Sequence, residues 1–168
     1  INAPTIQAEI ERVLKQLTRT EIRVVAAGRT DAGVHAEGQV IAFDAAWRHP
    51  VQELHRGLNA LLPAQIAVFD LEQAEPGFHP RFDALSRSYR YTIYRAPVRH
   101  PKHDRWSLHI TRDLDLDAMA EATQVLIGRH DFLAFGSPPQ GDNSVREVVH
   151  AVWTLERQWL TFDIEANA

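Results

Sequence analysis

The sequence of 168 residues contains no cysteine, which excludes disulfide bonds, thiolate zinc sites, iron–sulfur clusters and a cysteine nucleophile. It has no apolar run near the ~18 residues that a membrane-spanning helix needs. Its first residues also lack the charged, apolar and small-residue succession of a signal peptide. We therefore expect a soluble cytoplasmic protein with no membrane partner, in which any metal would need histidine and carboxylate ligands.

Lysine is scarce as well, because Lys15 and Lys102 are the only lysines among 18 basic residues. The formal net charge of −4 argues at first against a nucleic-acid partner. Residues 81–112, however, hold eight basic and two acidic side chains, a local net charge of +6, so the rest of the chain carries −10. Arginine makes planar, forked contacts with phosphate and stacks on bases. The clustering therefore favours a surface that faces a polyanion.

The apolar share of 45% and the charged share of 24% are those of an ordinary globular protein. The length fits one domain or two of about eighty residues each. A Pro-Gly-Phe-His-Pro run at residues 76–80 interrupts the pattern and is a candidate joint. The sequence thus predicts an N-terminal half at residues 1–77 and a C-terminal half at residues 78–168.

Hydrophobic periodicity predicts helices at residues 5–17, 51–62 and 115–127, the first of which Pro4 and Thr5 would begin. Alternating or β-branched runs predict strands at residues 22–27, 39–43, 66–71, 88–94, 106–110, 145–155 and 159–165. The first two strands would pair around a polar loop, and the last two would form a hairpin after a loop at 136–144. Both halves then mix helices with mostly antiparallel strands, so the predicted fold class is α+β.

The segment richest in chemistry is Gly-Arg-Thr-Asp-Ala-Gly-Val-His-Ala at residues 28–36, directly after the first predicted strand. It places the carboxylate of Asp31 between two glycines and two residues from Arg29. Glycine lets the backbone adopt positive φ and approach a ligand closely. A nearby guanidinium favours an ionised carboxylate, which can act as nucleophile or base. A plain turn, in which aspartate and glycine are simply common, explains the spacing equally well.

The run at residues 28–36 resembles the signature of the TruA family of tRNA pseudouridine synthases. The resemblance continues through Gly38-Gln39-Val40, Leu58-Asn59, Phe78-His79-Pro80-Arg81-Phe82, Tyr89-Arg90-Tyr91 and Ile164-Glu165-Ala166-Asn167-Ala168. It implies two RNA-recognition-like, ferredoxin-like α+β halves that meet at a cleft, each with helices on one face of a mostly antiparallel sheet. It also implies a homodimer that isomerises uridine to pseudouridine at positions 38, 39 and/or 40 of the tRNA anticodon stem-loop, with neither cofactor nor metal.

The resemblance also implies roles for single residues. Asp31 matches the catalytic aspartate, and Arg29 matches an active-site arginine that can pair with Asp31 in the empty site and help displace the target base. Tyr89 matches the tyrosine that packs against the uracil, although the residues alone favour a core tyrosine on a strand face. Arg81 and Arg146 resemble further arginines that contact RNA or the site, with a structural salt bridge as the alternative for Arg81.

Members of this family usually have a strand before the first helix and a helix after the last strand, and this sequence has neither. It therefore also allows an inactive fragment, or a non-catalytic RNA-binding module that uses residues 81–112. A carboxylate-pair hydrolase built on Asp31 and Glu37 is a third interpretation, with no second motif to support it. His100 and His103 have a spacing that could suit a metal, but we favour a phosphate-facing surface there.

Overall fold

The computed structural model describes residues 5–136 and 143–168. The chain divides into two compact units, Ile1–Asp83 and Ala84–Ala168. The turn after the predicted joint lies in the first unit, which ends at Asp83. Within this turn the backbone N–H of His79 donates to the carboxylate of Asp83 at 2.7 Å. Both units combine helices with strands, which confirms the α+β class. Pro4 and most of the predicted loop at 136–144 lie outside the described residues.

The first helix, α1, spans Ile6–Thr18, close to the range that its apolar spacing predicted. It begins after Thr5, whose hydroxyl accepts the backbone N–H of Ala8 at 3.1 Å and so satisfies one of the free donors of the first turn. It ends at Arg19, whose φ of 62° lets its N–H bond back to the carbonyl of Lys15.

The core of the first unit lies between α1, a second helix and a short sheet. The second helix, α2, spans Val51–Leu61. The sheet pairs β1, Val25–Ala26, with β2, Ile41–Ala42, in antiparallel order. The paired stretch is shorter than the predicted strands, but the predicted pairing around a polar loop is confirmed. The most completely buried side chains of this core are those of Val13, Leu14 and Leu58.

The strand predicted at residues 66–71 is wrong, because this segment joins no sheet in the described part of the chain. Its backbone is held by α2 instead. The side-chain amide of Asn59 donates to the Val68 carbonyl at 2.8 Å and accepts the Val68 N–H at 2.9 Å, while His55 Nε2 contacts the same carbonyl at 2.7 Å. The side chain of Asn59 thus satisfies both the N–H and the carbonyl of Val68, which a neighbouring strand would otherwise do.

The described residues of the second unit form one α-helix, one short 3-10 helix at Leu133–Phe135 and five strands. The α-helix and the strands are β3 (Ser86–Arg95), β4 (Leu108–Ile110), α3 (Leu116–Gln124), β5 (Gly128–Asp131), β6 (Val145–Glu156) and β7 (Trp159–Asn167). The sheet has the order β4-β3-β7-β6-β5. Strand β4 runs parallel to β3, and the other neighbours are antiparallel. The predicted hairpin at the end of the chain is confirmed as β6 and β7, whereas β5 was not predicted.

Helix α3 packs on the sheet through Thr123, whose hydroxyl accepts the indole N–H of Trp153 at 3.0 Å. The Trp153 ring stacks on Phe162 with centroids 4.7 Å apart. The helix begins after Asp115, whose carboxylate accepts the Ala118 N–H, and it ends at Gln124, three residues before the predicted end. None of the helices in the described residues is long and apolar enough to cross a membrane.

Candidate active site

The Gly-Arg-Thr-Asp run lies in the loop between β1 and β2, and two hydrogen bonds close the base of that loop. The Ala27 N–H donates to the Val40 carbonyl at 2.9 Å. The side-chain amide of Gln39 donates to the Gly28 carbonyl at 3.0 Å. These bonds extend the short ladder on both sides of the loop, so residues 29–38 are carried on a fixed base and are exposed throughout.

Asp31 is the first residue of a tight turn within this loop. The Val34 N–H donates to the Asp31 carbonyl at 3.1 Å, and Gly33, the third residue of the turn, has a φ of 87°. Positive φ at that position is the mark of a type II turn and favours glycine. The turn therefore exists, and it leaves the Asp31 side chain exposed to solvent and to any ligand.

Arg29 and Asp31 lie in the same loop, but they do not form the ion pair that the resemblance implies for the empty site. Among the described residues, no ion pair of 4.0 Å or less involves either side chain. Both are exposed, and an exposed pair contributes only about 0–1 kcal/mol, too little to hold two solvated side chains together. Both groups are therefore free to meet a substrate.

Arg81 lies in a second folded turn of the first unit, organised by His79. The His79 Nδ1 atom accepts the backbone N–H groups of Arg81 at 3.2 Å and Phe82 at 3.3 Å. The His79 and Phe82 rings lie 4.2 Å apart. Arg81 is half-buried, and this turn holds its backbone.

Tyr89 and Arg146 both lie in the sheet of the second unit. Tyr89, on β3 opposite Ile164 of β7, has 61% of its surface exposed, so the interpretation as a core tyrosine is wrong. Arg146 is half-buried on β6, and its guanidinium donates to the carbonyls of Asn143 at 3.1 Å and Val145 at 2.7 Å. The register brings the start of β3 and the start of β6 to the same end of the sheet.

The base of the loop that precedes Arg146 is closed by Asp131, the last residue of β5. Its carboxylate accepts the hydroxyl of Ser144 and the backbone N–H of Leu133. These donors favour the ionised form and lower the pKa of Asp131 below its usual value, the Ser144 hydroxyl more than the N–H. Asp131 therefore fixes the start of the strand that carries Arg146.

The two histidines considered as metal ligands belong to a cluster of rings. His103 packs against Trp159, with centroids 4.6 Å apart, and against Tyr94 at 5.3 Å. The ring of His100 lies 4.5 Å from that of His103. Within residues 5–136 and 143–168 there is no group of three or more His, Cys, Asp or Glu that could hold a metal ion. His103 is half-buried in this cluster, and His100 is exposed.

Two positioning residues were not assigned a role from the sequence. Gln39 closes the loop that carries Asp31, and Asn59 holds the backbone of Val68. Both lie in runs that carry the family resemblance, so the resemblance included these positions but assigned them no role. Their hydrogen bonds are to backbone groups eleven and nine residues away, and neither helical nor strand periodicity reports such contacts.

The comparisons with known proteins agree on one family. The model of the tRNA pseudouridine synthase family matches residues 2–83, which include the whole loop between β1 and β2. The chain is 43% identical to a tRNA pseudouridine synthase A of Moorella thermoacetica, over 99% of this chain and 68% of the relative. The chain belongs to the tRNA pseudouridine synthase A family.

Further members of this family show the same extent of similarity. The chain is 40% identical to the tRNA pseudouridine synthase A of Syntrophotalea carbinolica, over 99% of this chain and 66% of the relative. It is 41% identical to that of Pseudomonas aeruginosa, over 98% of this chain and 58% of the relative. The chain therefore spans about two thirds or less of the length of these tRNA pseudouridine synthases.

Proposed function

We propose that this protein is a tRNA pseudouridine synthase that isomerises uridine to pseudouridine at positions 38, 39 and/or 40 of the anticodon stem-loop. One observation carries the proposal. Asp31 sits in an exposed type II turn, on a loop whose base is closed by hydrogen bonds, in a chain that belongs to the tRNA pseudouridine synthase A family. A carboxylate displayed in this way can reach a nucleoside that enters from solvent.

The reaction needs a carboxylate and no electron donor. The bond between N1 of uracil and C1′ of ribose breaks, the uracil turns, C5 bonds to C1′, a proton leaves C5 and N1 ends protonated. Asp31 would attack the sugar or the base, or would take a proton from the sugar to give a glycal. All three routes start from an ionised carboxylate, and none of them requires a metal or a cofactor.

Extrusion of the uridine from its stem is the second demand on the site. Flipping a base costs a few kcal/mol, and stacking it on an aromatic ring returns about 1–3 kcal/mol. Tyr89, with its exposed ring on β3, is the residue that we propose for this stacking. Arg29 would help to displace the target base, and Arg81 and Arg146 would contact the RNA and supply the remaining energy.

The test is a comparison of Asp31→Asn with Asp44→Asn in the whole protein. The first change removes the charge with almost no change of shape. The second removes a charge from an exposed aspartate that follows β2 in the same unit. We expect Asp31→Asn to form no pseudouridine in a tRNA transcript while its RNA affinity stays within about twofold, and Asp44→Asn to match the wild type. Product formation by Asp31→Asn would refute the catalytic role.

A non-catalytic RNA-binding module is the second candidate, favoured by the net charge of +6 on residues 81–112. It predicts binding that weakens with salt, with a log–log slope of about 0.7–0.9 per phosphate contacted, and no product from the wild-type protein. Mapping of pseudouridine in tRNA from cells with and without the protein separates the two candidates. The homodimer and the cytoplasmic location remain part of our proposal, and the mass in solution tests the dimer.

A further inference from the structure

Three arginines that are distant in sequence line one cavity of the second unit. The cavity has a volume of about 320 Å³. Its charged lining consists of Arg95, Arg112, Arg157 and Asp113. Three guanidinium groups against one carboxylate give the lining an excess of two positive charges. The cavity lies outside the loop and the turns described above, and it has the charge of an anion-binding site.

The sheet topology assembles this cluster. Arg95 is the last residue of β3, and Arg112 follows shortly after the end of β4, which runs parallel to β3. Arg157 lies in the turn between β6 and β7. The backbone N–H of Arg95 donates to the carbonyl of Gln158 in that turn at 2.7 Å. The three arginines are therefore carried at the same end of the sheet by regular backbone structure.

The positive charge of the cluster is not neutralised within the unit. Arg95 and Asp113 approach to 3.9 Å, but the Asp113 side chain is fully exposed, so their attraction is screened by solvent. Arg112 and Arg157 both line the cavity, and no ion pair among the described residues takes up the donors of their guanidinium groups.

Arg157 occupies its place in spite of backbone strain. Its φ of 56° lies in the left-handed region, which glycine adopts with less strain than any residue with a Cβ. A two-residue connection between antiparallel strands needs such a conformation, so the turn by itself would favour glycine. The turn explains the conformation but not the choice of arginine, and Arg157 is one of the residues that line the cavity.

We propose that this cavity binds a backbone phosphate of the RNA substrate. The inference rests on the proposed function, because it takes the ligand to be that same tRNA. A polyanion is favoured over a single small anion because Arg95 and Arg112 belong to the stretch 81–112, in which Arg99, Lys102 and Arg105 are also exposed. Exposed positive charge therefore continues along the chain between the two cavity arginines Arg95 and Arg112, as binding to a nucleic-acid backbone favours.

The phosphate bound here would belong to a nucleotide remote from the target uridine. Tyr89 and Arg95 are six residues apart on β3, which corresponds to roughly 20 Å at about 3.3 Å per residue in a strand. A contact at this distance adds affinity without touching the reacting atoms. It should therefore affect binding of the RNA and leave the rate of the bound complex unchanged.

The experiment uses one double variant of the whole protein, in which Arg112→Ala and Arg157→Ala are combined. This cavity variant is compared with the wild type. We measure the dissociation constant of a tRNA transcript between 50 and 200 mM salt, and product formation at saturating RNA. Loss of one phosphate contact should lower the log–log salt slope by about 0.7–0.9 and lower the affinity by roughly tenfold. The rate at saturation should stay within about twofold of the wild type.

Two further variants control for charge and for strain. The control for charge is a double variant, Arg12→Ala with Arg56→Ala, which removes two charges from exposed positions of α1 and α2. The log–log salt slope of its RNA affinity should equal that of the wild type. Arg157→Gly relieves the left-handed strain, so it should leave the melting temperature unchanged or raise it while the RNA affinity falls. If Arg157 had a purely structural role, a lower RNA affinity would not be expected without a lower melting temperature.

The outcomes separate this inference from the proposed function. A salt slope of the cavity variant equal to that of the control overturns the inference, whether or not pseudouridine is formed. A lowered slope supports it, and absence of product from the wild type would then refute only the catalytic proposal. Saturation of the cavity by millimolar inorganic phosphate, with RNA affinity unaffected by the variant, would identify a small-anion site and would also overturn the inference.

Discussion

Glu11 of α1 holds the segment that leads into the loop of Asp31. Its carboxylate accepts the backbone N–H of Val24 at 3.0 Å and the side-chain amide of Gln7 at 2.8 Å. Val24 is buried, with 5% of its surface exposed, so its N–H has little access to water. We predict that Glu11→Ala destabilises the first unit more than any loss of surface charge would.

The magnitude follows from the bonds that are lost. A hydrogen bond to a charged acceptor is worth about 1.5–3 kcal/mol, and a buried donor left unsatisfied costs about 1–3 kcal/mol. The ion pair with Arg23 spans 3.7 Å, and the Arg23 side chain is 89% exposed, so it adds almost nothing. We expect Glu11→Ala to lower the free energy of unfolding by about 2 kcal/mol. Glu11→Gln keeps an acceptor and should cost about 1 kcal/mol or less.

The pH dependence identifies the charge as the cause. The hydrogen bonds from Gln7 and Val24 lower the pKa of Glu11 from its usual 4.5. A lowered folded-state pKa means that the stabilisation is present above the unfolded value and is lost as the pH falls through the folded value. The difference in unfolding free energy between the wild type and Glu11→Gln should therefore be largest near pH 7. It should shrink below the usual value of 4.5.

Urea unfolding followed by circular dichroism at pH 7 and at pH 3 measures these differences. Glu9→Gln is the matched control, because Glu9 lies on the same helix and pairs with Arg12 at the surface. Its effect should stay below about 0.5 kcal/mol. A loss of less than about 0.5 kcal/mol for Glu11→Ala, or an equal loss for Glu11→Gln at both pH values, would refute the reasoning.

Two further predictions concern the packing of α1 on α2. Leu58 has 1% of its surface exposed, so Leu58→Ala should lower the free energy of unfolding by about 2–5 kcal/mol, measured by the same urea unfolding. A loss below about 1 kcal/mol would contradict the packing described. A Cβ added at Gly57 would lie 3.0 and 3.1 Å from the terminal carbons of Leu17. Alanine there gains about 1 kcal/mol of helix propensity and loses a similar amount by displacing Leu17, so Gly57→Ala should be near neutral, whereas Gly57→Leu should clearly destabilise.

The helices could be predicted closely because their signals are local. Apolar residues at helical spacing and a threonine cap define α1 within one residue at each end. Strands are harder, because a β-branched run indicates extended backbone but not the strand that pairs with it. Residues 66–71 show this, since the side chain of Asn59 bonds Val68 where a strand was predicted.

Strand β5 shows the opposite error. Its Gly-Arg-His-Asp sequence has no apolar alternation, and most of it is exposed at the edge of the sheet. It is a strand because β6 offers it backbone partners, from Gly128 opposite Val148 to Asp131 opposite Val145. A pairing that depends on the partner leaves no mark in the sequence of the strand itself.

The candidate site divides in the same way between local and non-local information. Asp31, Arg29 and Gly33 are contiguous, so the motif names the residues and predicts the turn together. The closing bond from Gln39 and the exposure of Tyr89 depend on the loop and the sheet. The windowed charge of residues 81–112 includes Arg95 and Arg112 but misses Arg157, which only the turn between β6 and β7 brings to them.

Backbone strain distinguishes the two arginines that the described residues hold at positive φ. Left-handed backbone costs a residue with a Cβ roughly 1–2 kcal/mol. At Arg19 the structure itself explains it, since the conformation lets the N–H cap the carbonyl of Lys15 at the end of α1. At Arg157 the turn explains the conformation but not the choice of side chain, because glycine would form the same turn with less strain. A residue that breaks a local rule without a structural gain points to a use of its side chain elsewhere, and Arg157 lines the same cavity as Arg95 and Arg112.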